Sequence, residues 1–209
     1  MKSLVVGLGF GQLYKDVLKR MGHQVVTVDS NPATKPDFTE LTTALSSHDT
    51  FDTTHICVPN HLHYKTALKV APQTKIVFVE KPGVESIDHW NLLVNLNKNT
   101  RFMMTKNNLW RDNIKEIADS CKASDLIQIN WVNKNRIPGP GTWFTDKSKS
   151  FGGVSRDLLP HLMSIMISAN PSNYNDFKNI KYRLEQKWNL SDCTGTEYGV
   201  VNQDGVYNV

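Results

Sequence analysis

A glycine-rich stretch near the start of the sequence constrains the fold of this chain more than any other feature. The stretch, Gly7-Leu8-Gly9-Phe10-Gly11-Gln12, follows an apolar run at residues 4–6 and precedes a helical pattern that ends near Gly22. A second apolar run, at residues 25–28, ends on Asp29. A strand, a glycine turn, a helix, a strand and an acidic residue within about thirty residues are the layout of a dinucleotide-binding unit. The helical pattern consists of Leu13, Val17, Leu18 and Met21.

Each part of this unit has a task in binding a dinucleotide. Glycines let the backbone approach a pyrophosphate, a helix N-terminus offers unpaired N–H groups, and a carboxylate accepts hydrogen bonds from the adenosine ribose. The third glycine of the usual G-x-G-x-x-G pattern would fall at position 12, which is Gln12, and Gly11 comes one residue early. The sequence therefore predicts a turn that is one residue tighter than usual. A strand-to-helix turn that binds no ligand is the alternative.

Length and composition fit a globular protein of one large or two small domains, because 209 residues with 39% hydrophobic side chains can form a core. No run approaches the roughly twenty apolar residues of a membrane helix, and we expect neither a signal peptide nor a membrane partner. The net charge of +4 comes without a long Lys/Arg run, which disfavours nucleic acid and suits an anionic small ligand. Cys57, Cys121 and Cys193 form no C-x-x-C pair, so we expect buried thiols in a reducing cytoplasm.

Strand-like and helical patterns alternate over the first half of the chain. Strands are predicted at residues 53–58, 76–79 and 101–105, and helices at 40–47, 61–71 and 87–96. This rhythm predicts an α/β domain, a doubly wound parallel sheet with helices on both faces. Ligands of such sheets bind at the carboxyl ends of the strands, where the glycine turn, Pro59-Asn60 and Glu80-Lys81-Pro82 all fall.

The pattern changes near residue 118. A strand is predicted at residues 126–132, a polar connection at 133–150, a helix at 154–169, and strands at 178–188, 197–201 and 206–209, the last two joined by a hairpin turn. Pro160 requires the helix either to kink or to begin close to it. We therefore predict a dinucleotide-binding Rossmann domain at 1–118 and, at 119–209, a small α+β domain with a mostly antiparallel sheet for substrate binding and oligomerisation.

Four motifs follow one another in a fixed order. They are Gly7-Leu8-Gly9 with Asp29, then Val58-Pro59-Asn60-His61-Leu62-His63, then Val79-Glu80-Lys81-Pro82, and finally Gly152-Gly153-Val154-Ser155-Arg156-Asp157-Leu158-Leu159-Pro160-His161. Their order and spacing over roughly residues 2–167 resemble the Gfo/Idh/MocA family of oxidoreductases. The remaining chain is shorter than the open-faced sheet domain of that family. The resemblance implies hydride transfer between NAD or NADP and a secondary hydroxyl or carbonyl of a sugar, cyclitol or nucleotide sugar.

The predicted cofactor site combines the glycine turn with residues at three strand ends. Asp29 would repel the 2′-phosphate of NADP and favours NAD, although Ser30 and Lys35 leave NADP possible. The complete set of predicted cofactor-binding residues is Gly7, Gly9, Phe10, Gly11, Gln12, Asp29, Ser30, Pro59, Asn60, His63, Glu80 and Lys81.

Two histidines follow the third strand. Asn60 and His63 match the family motif Pro-Asn-x-x-His, which the resemblance places at the nicotinamide end of the cofactor. His61 and His63 also form an H-x-H pair, but no further Cys, His or carboxylate cluster lies at ligand spacing. We therefore expect no metal.

Lys81, Asp157 and His161 are the predicted catalytic residues. Lys81 ends a buried strand beside Glu80, where a cation would favour a developing alkoxide, as the matching family lysine does. A lysine whose stem lies along apolar surface is the alternative. Asp157 and His161 are four residues apart, so on a continuous helix they share a face, and the carboxylate would orient the imidazole as a base. Spacing alone fits an ion pair on a helix surface equally well.

Two other functions stay open at this point. One is a non-catalytic dinucleotide-sensing module, and the other is a reductase of a non-sugar substrate such as a tetrapyrrole. Lys81 and His161 favour an enzyme. A short sheet domain leaves an edge or an apolar face to be covered, so we expect a homo-oligomer, most simply a twofold dimer. Arg136, Lys147 and Lys149 are compatible with an anionic sugar.

Overall fold

The computed structural model describes residues 1–120, 142–152, 154–169, 181–183 and 206–208. The chain divides into two compact units, residues 1–105 and 106–209. The sequence predicts the domain boundary near residue 118. The second predicted domain, residues 119–209, lies mostly outside the described residues, so the boundary near residue 118 stays a prediction. Within the described part of the chain, no helix has both the length and the apolar character needed to cross a membrane.

The first unit is a parallel sheet of five strands in the order β2-β1-β3-β4-β5, with helices between them. This confirms the predicted doubly wound α/β domain. Its elements are β1 (Lys2–Val6), α1 (Leu8–Arg20), β2 (Gln24–Val28), α2 (Leu41–Ser46), β3 (Phe51–Ile56), α3 (His63–Val70), β4 (Thr74–Val79), α4 (Ile87–Leu96) and β5 (Arg101–Met104).

Apolar side chains alternate between the two faces of the sheet because successive strand residues point to opposite sides. One face packs against α2, α3 and α4 through a buried cluster that includes Leu4 and Val6 of β1 and Leu93 of α4. The other face packs against α1, where Val5 contacts a cluster containing Leu8 and Leu18. Helices therefore cover both faces, as the alternating pattern predicts.

The helical pattern of α1 does not mark its buried side. Of its four apolar positions, Leu18 is buried, but Leu13 is 60% exposed, Val17 43% and Met21 66%. The side that faces the sheet carries Leu8, Gly11 and Leu18. Because α1 has apolar residues on both sides, helical spacing alone does not identify the side that packs.

The second unit contains α5 (Asp112–Ser120), α6 (Lys147–Ser150), α7 (Val154–Asp157), α8 (Leu159–Ala169) and the antiparallel pair β6 (Lys181–Arg183) and β7 (Val206–Asn208). The predicted helix at 154–169 is divided at Leu158. Pro160 is the second residue of α8, where its missing N–H costs no helical hydrogen bond. The strands predicted at 126–132 and 197–201 and the turn at 202–205 lie outside the described residues, as do Cys121, Cys193 and Arg136.

Candidate functional site at the carboxyl edge of the first sheet

Gly7 is the single residue between the end of β1 at Val6 and the start of α1 at Leu8. Its φ is +91°, and a Cβ at this position would lie 2.7 Å from both the carbonyl carbon and the carbonyl oxygen of Cys57. The backbone on either side is fixed, because Gly7 donates its N–H to Val28 and Cys57 donates its N–H to Val6, each at 2.8 Å. Only glycine satisfies both the positive φ and this close approach.

Gly11 performs the packing task that the third glycine usually has. A Cβ at Gly11 would lie 2.9 Å from Cγ1 of Val5 and 3.3 Å from Cβ of Cys57. The absence of a side chain therefore lets α1 lie close to β1 and to the end of β3. Burial raises the pKa of the Cys57 thiol, which stays protonated beneath the turn. Gly11, which comes one residue earlier than the third glycine of the usual pattern, thus lies within α1, because this helix begins directly after Gly7.

Gly9 faces open space. Apart from its chain neighbours and the backbone of its own helix, no heavy atom lies within 4 Å of the position that its Cβ would occupy, and the residue is exposed. The N–H groups in the first turn of a helix have no acceptor inside the helix, and the positive end of the helix dipole lies there. A pyrophosphate can therefore approach the backbone at Gly9, and the turn fits a dinucleotide.

The Asp29 carboxylate lies at the same helix terminus. One of its oxygens accepts a hydrogen bond from the N–H of Leu8, and the other accepts from the N–H of Asn31 at 2.8 Å. The structure thus brings Asp29 and the glycine turn together, as their sequence spacing predicts. Ser30 is exposed next to it, whereas the side-chain amide of Gln12 is hydrogen-bonded within α1 to Lys15 and Asp16.

Glu80 and Lys81 follow β4 at the same edge of the sheet. The Tyr14 hydroxyl donates a hydrogen bond to Oε1 of Glu80, and the backbone N–H of Lys81 donates to Oε2 at 3.3 Å. Lys81 is half-buried. Sequence analysis did not single out Tyr14. The sequence signal that could have identified Tyr14 is its helical spacing from Gly11 and Leu18, which places it on the sheet-facing side of α1.

His63 is buried beneath the loops that follow β3 and β4. The ring is 1% exposed, with Nδ1 2.6 Å from the carbonyl oxygen of Gly83 and Nε2 2.8 Å from that of Val58. Burial lowers the pKa of His63, and the two carbonyl contacts oppose that shift. The ring therefore joins the Pro59–Asn60 loop to the turn after Lys81. Direct contact of His63 with a cofactor stays a prediction.

The predicted base and its partner belong to the second unit. Asp157 is the last residue of α7, and His161 lies in the first turn of α8; both side chains are buried. Because the helix is divided at Leu158, they do not share one face of a continuous helix. Their catalytic pairing stays a prediction.

A family model matches the first half of the chain, and longer relatives match most of it. Residues 1–107 match the family model of the Gfo/Idh/MocA oxidoreductases, described as an oxidoreductase family with an NAD-binding Rossmann fold. A protein named as the oxidoreductase subunit of a UDP-kanosamine synthase, from Amycolatopsis mediterranei, is 24% identical over 181 residues, which are 79% of this chain and 50% of that protein.

Two solved structures share the fold at low identity. GenD2 from gentamicin A biosynthesis, solved with NAD, has a TM-score of 0.63 and 21% identity over 81% of this chain and 53% of its own. The WlbA dehydrogenase from Thermus thermophilus, solved with NAD and UDP-GlcNAcA, has a TM-score of 0.63 and 17% identity over 81% of this chain and 62% of its own. The chain spans about half the length of the first curated relative. The match over residues 1–107, together with the parallel sheet and the glycine turn, shows that this chain belongs to the Gfo/Idh/MocA family of NAD-binding oxidoreductases.

Proposed function

We propose that this protein is an NAD-dependent dehydrogenase or reductase that acts on a secondary hydroxyl or carbonyl group of a sugar, cyclitol or nucleotide sugar. The observation that carries the proposal is the meeting of the glycine turn, Asp29 and the Glu80–Lys81 strand end at one edge of the first sheet. These groups supply what a nicotinamide dinucleotide and a reacting oxygen need: open backbone, a carboxylate for ribose hydroxyls and a cation.

The glycine turn would hold the pyrophosphate, and the Asp29 carboxylate would accept hydrogen bonds from the adenosine ribose. The Asp29 oxygens already accept from two backbone N–H groups, and each carboxylate oxygen has a further lone pair for a ribose hydroxyl. Negative charge at this position disfavours a 2′-phosphate, so NAD is the expected cofactor and NADP a weaker one.

The proposed chemistry is the oxidation of a secondary alcohol or its reverse. NAD, when bound, accepts the hydride from the hydroxyl-bearing carbon. Lys81 would hydrogen-bond the reacting oxygen and stabilise its developing negative charge. His161 would take the hydroxyl proton, and Asp157 would orient the imidazole and raise its basicity. The substrate carbon would thereby become a carbonyl carbon, its hydride accounted for by bound NAD, and its hydroxyl proton would remain on His161.

The relatives support a sugar nucleotide as substrate. WlbA from Thermus thermophilus was solved with UDP-GlcNAcA, and the relative from Amycolatopsis mediterranei is named for UDP-kanosamine. An anionic sugar fits the net charge of +4. Lys149 contributes less to this attraction than its charge suggests, because its ammonium lies 2.9 Å from Oδ2 of Asp146.

A substrate panel tests the function. Sugars, cyclitols and nucleotide sugars are incubated with the protein and NAD, and their ketone forms with NADH, while nicotinamide absorbance is followed. We expect turnover of at least one nucleotide sugar, with Lys81→Ala at least about a hundredfold slower. Lys65→Ala, an exposed lysine on α3, is the matched control and keeps the wild-type rate. No turnover with any member of the panel contradicts the proposed activity.

Assembly is a separate part of the proposal. We expect a homo-oligomer, most simply a twofold dimer, because sheet edges and apolar faces of small domains are usually covered. Light scattering at micromolar protein measures the mass directly, and a monomer contradicts the expectation.

A further inference from the structure

Tyr14 crosses the face of the sheet from α1 to the end of β4. Its ring lies on the sheet-facing side of the helix and packs against the cluster of Val5, Leu8 and Leu18. The missing side chain of Gly11, one turn earlier, lets α1 approach β1 and β3 closely enough for the tyrosine to lie across them. The tyrosine is therefore placed by the same glycine that shapes the turn.

A row of rings fixes the direction of the Tyr14 side chain. The His55 ring lies 5.2 Å from the Tyr14 ring, and the Phe78 ring stacks on His55 at 4.9 Å with an interplanar angle of 9°. Phe10 approaches Tyr14 edge-on at 5.9 Å. These ring contacts leave the phenol little rotational freedom, and its hydroxyl lies at the end of β4, where it donates to Glu80.

The Tyr14 hydroxyl donates a hydrogen bond to the Glu80 carboxylate, and both oxygens of that carboxylate accept hydrogen bonds. Oε1 of Glu80 accepts from Tyr14, and Oε2 accepts from the backbone N–H of Lys81. The Glu80 backbone is held as well, since its N–H donates to Ile56 at 3.1 Å and its carbonyl accepts from Gly83 at 2.9 Å. Burial, followed by the hydrogen bond to Glu80, raises the pKa of Tyr14, so the phenol remains a donor throughout the working range of pH.

We propose that Tyr14 is a positioning residue: through Glu80 it fixes the backbone at Lys81 and so sets where the Lys81 ammonium reaches the substrate oxygen. This inference rests on the proposed function for the role of Lys81. Loss of the phenol hydroxyl leaves one Glu80 oxygen without its donor, and the carboxylate is then free to turn away from the Lys81 N–H. A misplacement of about 1 Å at a reacting group can cost about a hundredfold in rate.

The test compares Tyr14→Phe with Tyr64→Phe. Tyr64, on α3, is a partly buried tyrosine that stacks on His89 at 4.3 Å and has no link to Glu80. Each variant is labelled with nitrogen-15 for measurement of the Lys81 amide resonance, and kcat and KM are measured with a substrate found in the panel. We expect Tyr14→Phe to move the Lys81 resonance and lower kcat by about 10- to 100-fold with KM nearly unchanged. Tyr64→Phe is expected to do neither.

A double variant shows whether Tyr14 acts through Glu80. If it does, Tyr14→Phe combined with Glu80→Ala is no slower than Glu80→Ala alone. An unmoved Lys81 resonance, a kcat equal to that of Tyr64→Phe, or losses that multiply in the double variant would each overturn the proposal. If the wild-type protein turns over nothing in the panel, the proposed function fails, and the Lys81 resonance alone then decides whether Tyr14 fixes that backbone.

Discussion

Gly7 and Gly9 lie in the same turn, yet we expect different consequences when each is replaced by alanine: Gly7→Ala should lower the stability of the protein, whereas Gly9→Ala should weaken NAD binding. Gly7 has a φ of +91°, and its added Cβ would lie 2.7 Å from the backbone carbonyl of Cys57. Gly9 has nothing within 4 Å of its added Cβ. Gly7→Ala must therefore shift backbone, whereas Gly9→Ala puts a methyl group into open space.

Gly7→Ala should lose stability both through its positive φ and through overpacking, and the variant Gly22→Ala separates these two free-energy costs. A non-glycine residue in the left-handed region costs about 1–2 kcal/mol, and overpacking against atoms that cannot move aside costs about 1–3 kcal/mol. Gly7→Ala is therefore expected to lower the free energy of unfolding by about 2–5 kcal/mol. Gly22 has a φ of +80° and an open Cβ position, so Gly22→Ala should lose only the first part. Gly9→Ala lies in the first turn of α1 and gains up to about 1 kcal/mol from helix propensity.

Urea unfolding gives the stabilities, and calorimetric titration gives the NAD affinities. We expect Gly9→Ala to be at least as stable as the wild type but to bind NAD at least about tenfold more weakly, because its methyl group takes space that a pyrophosphate would use. Gly22→Ala should keep the wild-type affinity. A Gly7→Ala protein of wild-type stability would refute the packing argument. Wild-type NAD affinity in Gly9→Ala would refute the location of the pyrophosphate.

The remaining expectations concern pH, cofactor choice and the catalytic group. Burial lowers the pKa of His55 to about 4 from its ordinary 6.5, so the unfolded chain binds a proton that the folded chain does not. The free energy of unfolding should therefore fall by about 3 kcal/mol as the pH drops from 6.5 to 4, and by less in His55→Phe, which urea titrations at several pH values measure. Paired titrations should show NAD binding more tightly than NADP because of Asp29, and the reverse order contradicts that role. Lys81→Ala and His161→Ala should each lower kcat by about 10²- to 10⁴-fold, with far less than additive loss in the double variant. Near-normal turnover of His161→Ala with reduced thermal stability would make that residue structural.

The sequence was sufficient to predict the sheet and the positions of Gly7, Asp29 and Lys81 along one edge. Buried strands read as short β-branched runs, and parallel strands carry their ligand groups at their carboxyl ends. These two rules predict a parallel sheet and the edge that carries its ligand groups without any knowledge of side-chain contacts, although not the order of the strands. Strand ends were less accurate: β3 ends at Ile56, two residues before the predicted end, because Cys57 and Val58 already belong to the loop beneath the glycine turn.

Properties that depend on which surfaces meet could not be predicted from the sequence. Leu13 and Val17 have helical spacing but lie on the outer side of α1, and Met21, directly after the helix, is exposed as well. The division of the predicted helix at Leu158 is likewise ambiguous in the sequence, since Pro160 allows either a kink in one helix or the start of a second. The face of a helix that is buried depends on its partner, and spacing alone carries no information about partners.

The most informative contacts join parts of the chain that lie far apart in the sequence. Tyr14, on the helix that follows the glycine turn, donates a hydrogen bond to Glu80. His63, of the Pro-Asn-x-x-His motif, contacts the carbonyl oxygen of Gly83, which lies three residues after Glu80. Two side chains from different helices thus converge on the four-residue turn that carries Lys81. A change in the packing of α1 therefore reaches Lys81 through two hydrogen bonds, from Tyr14 to Glu80 and from the Lys81 N–H to Glu80, whereas a change in α3 reaches the same turn through the contact of His63 with Gly83. The turn after β4 that carries Lys81 is therefore held in place by His63 of the Pro-Asn-x-x-His motif and by Tyr14 of the helix that follows the glycine turn.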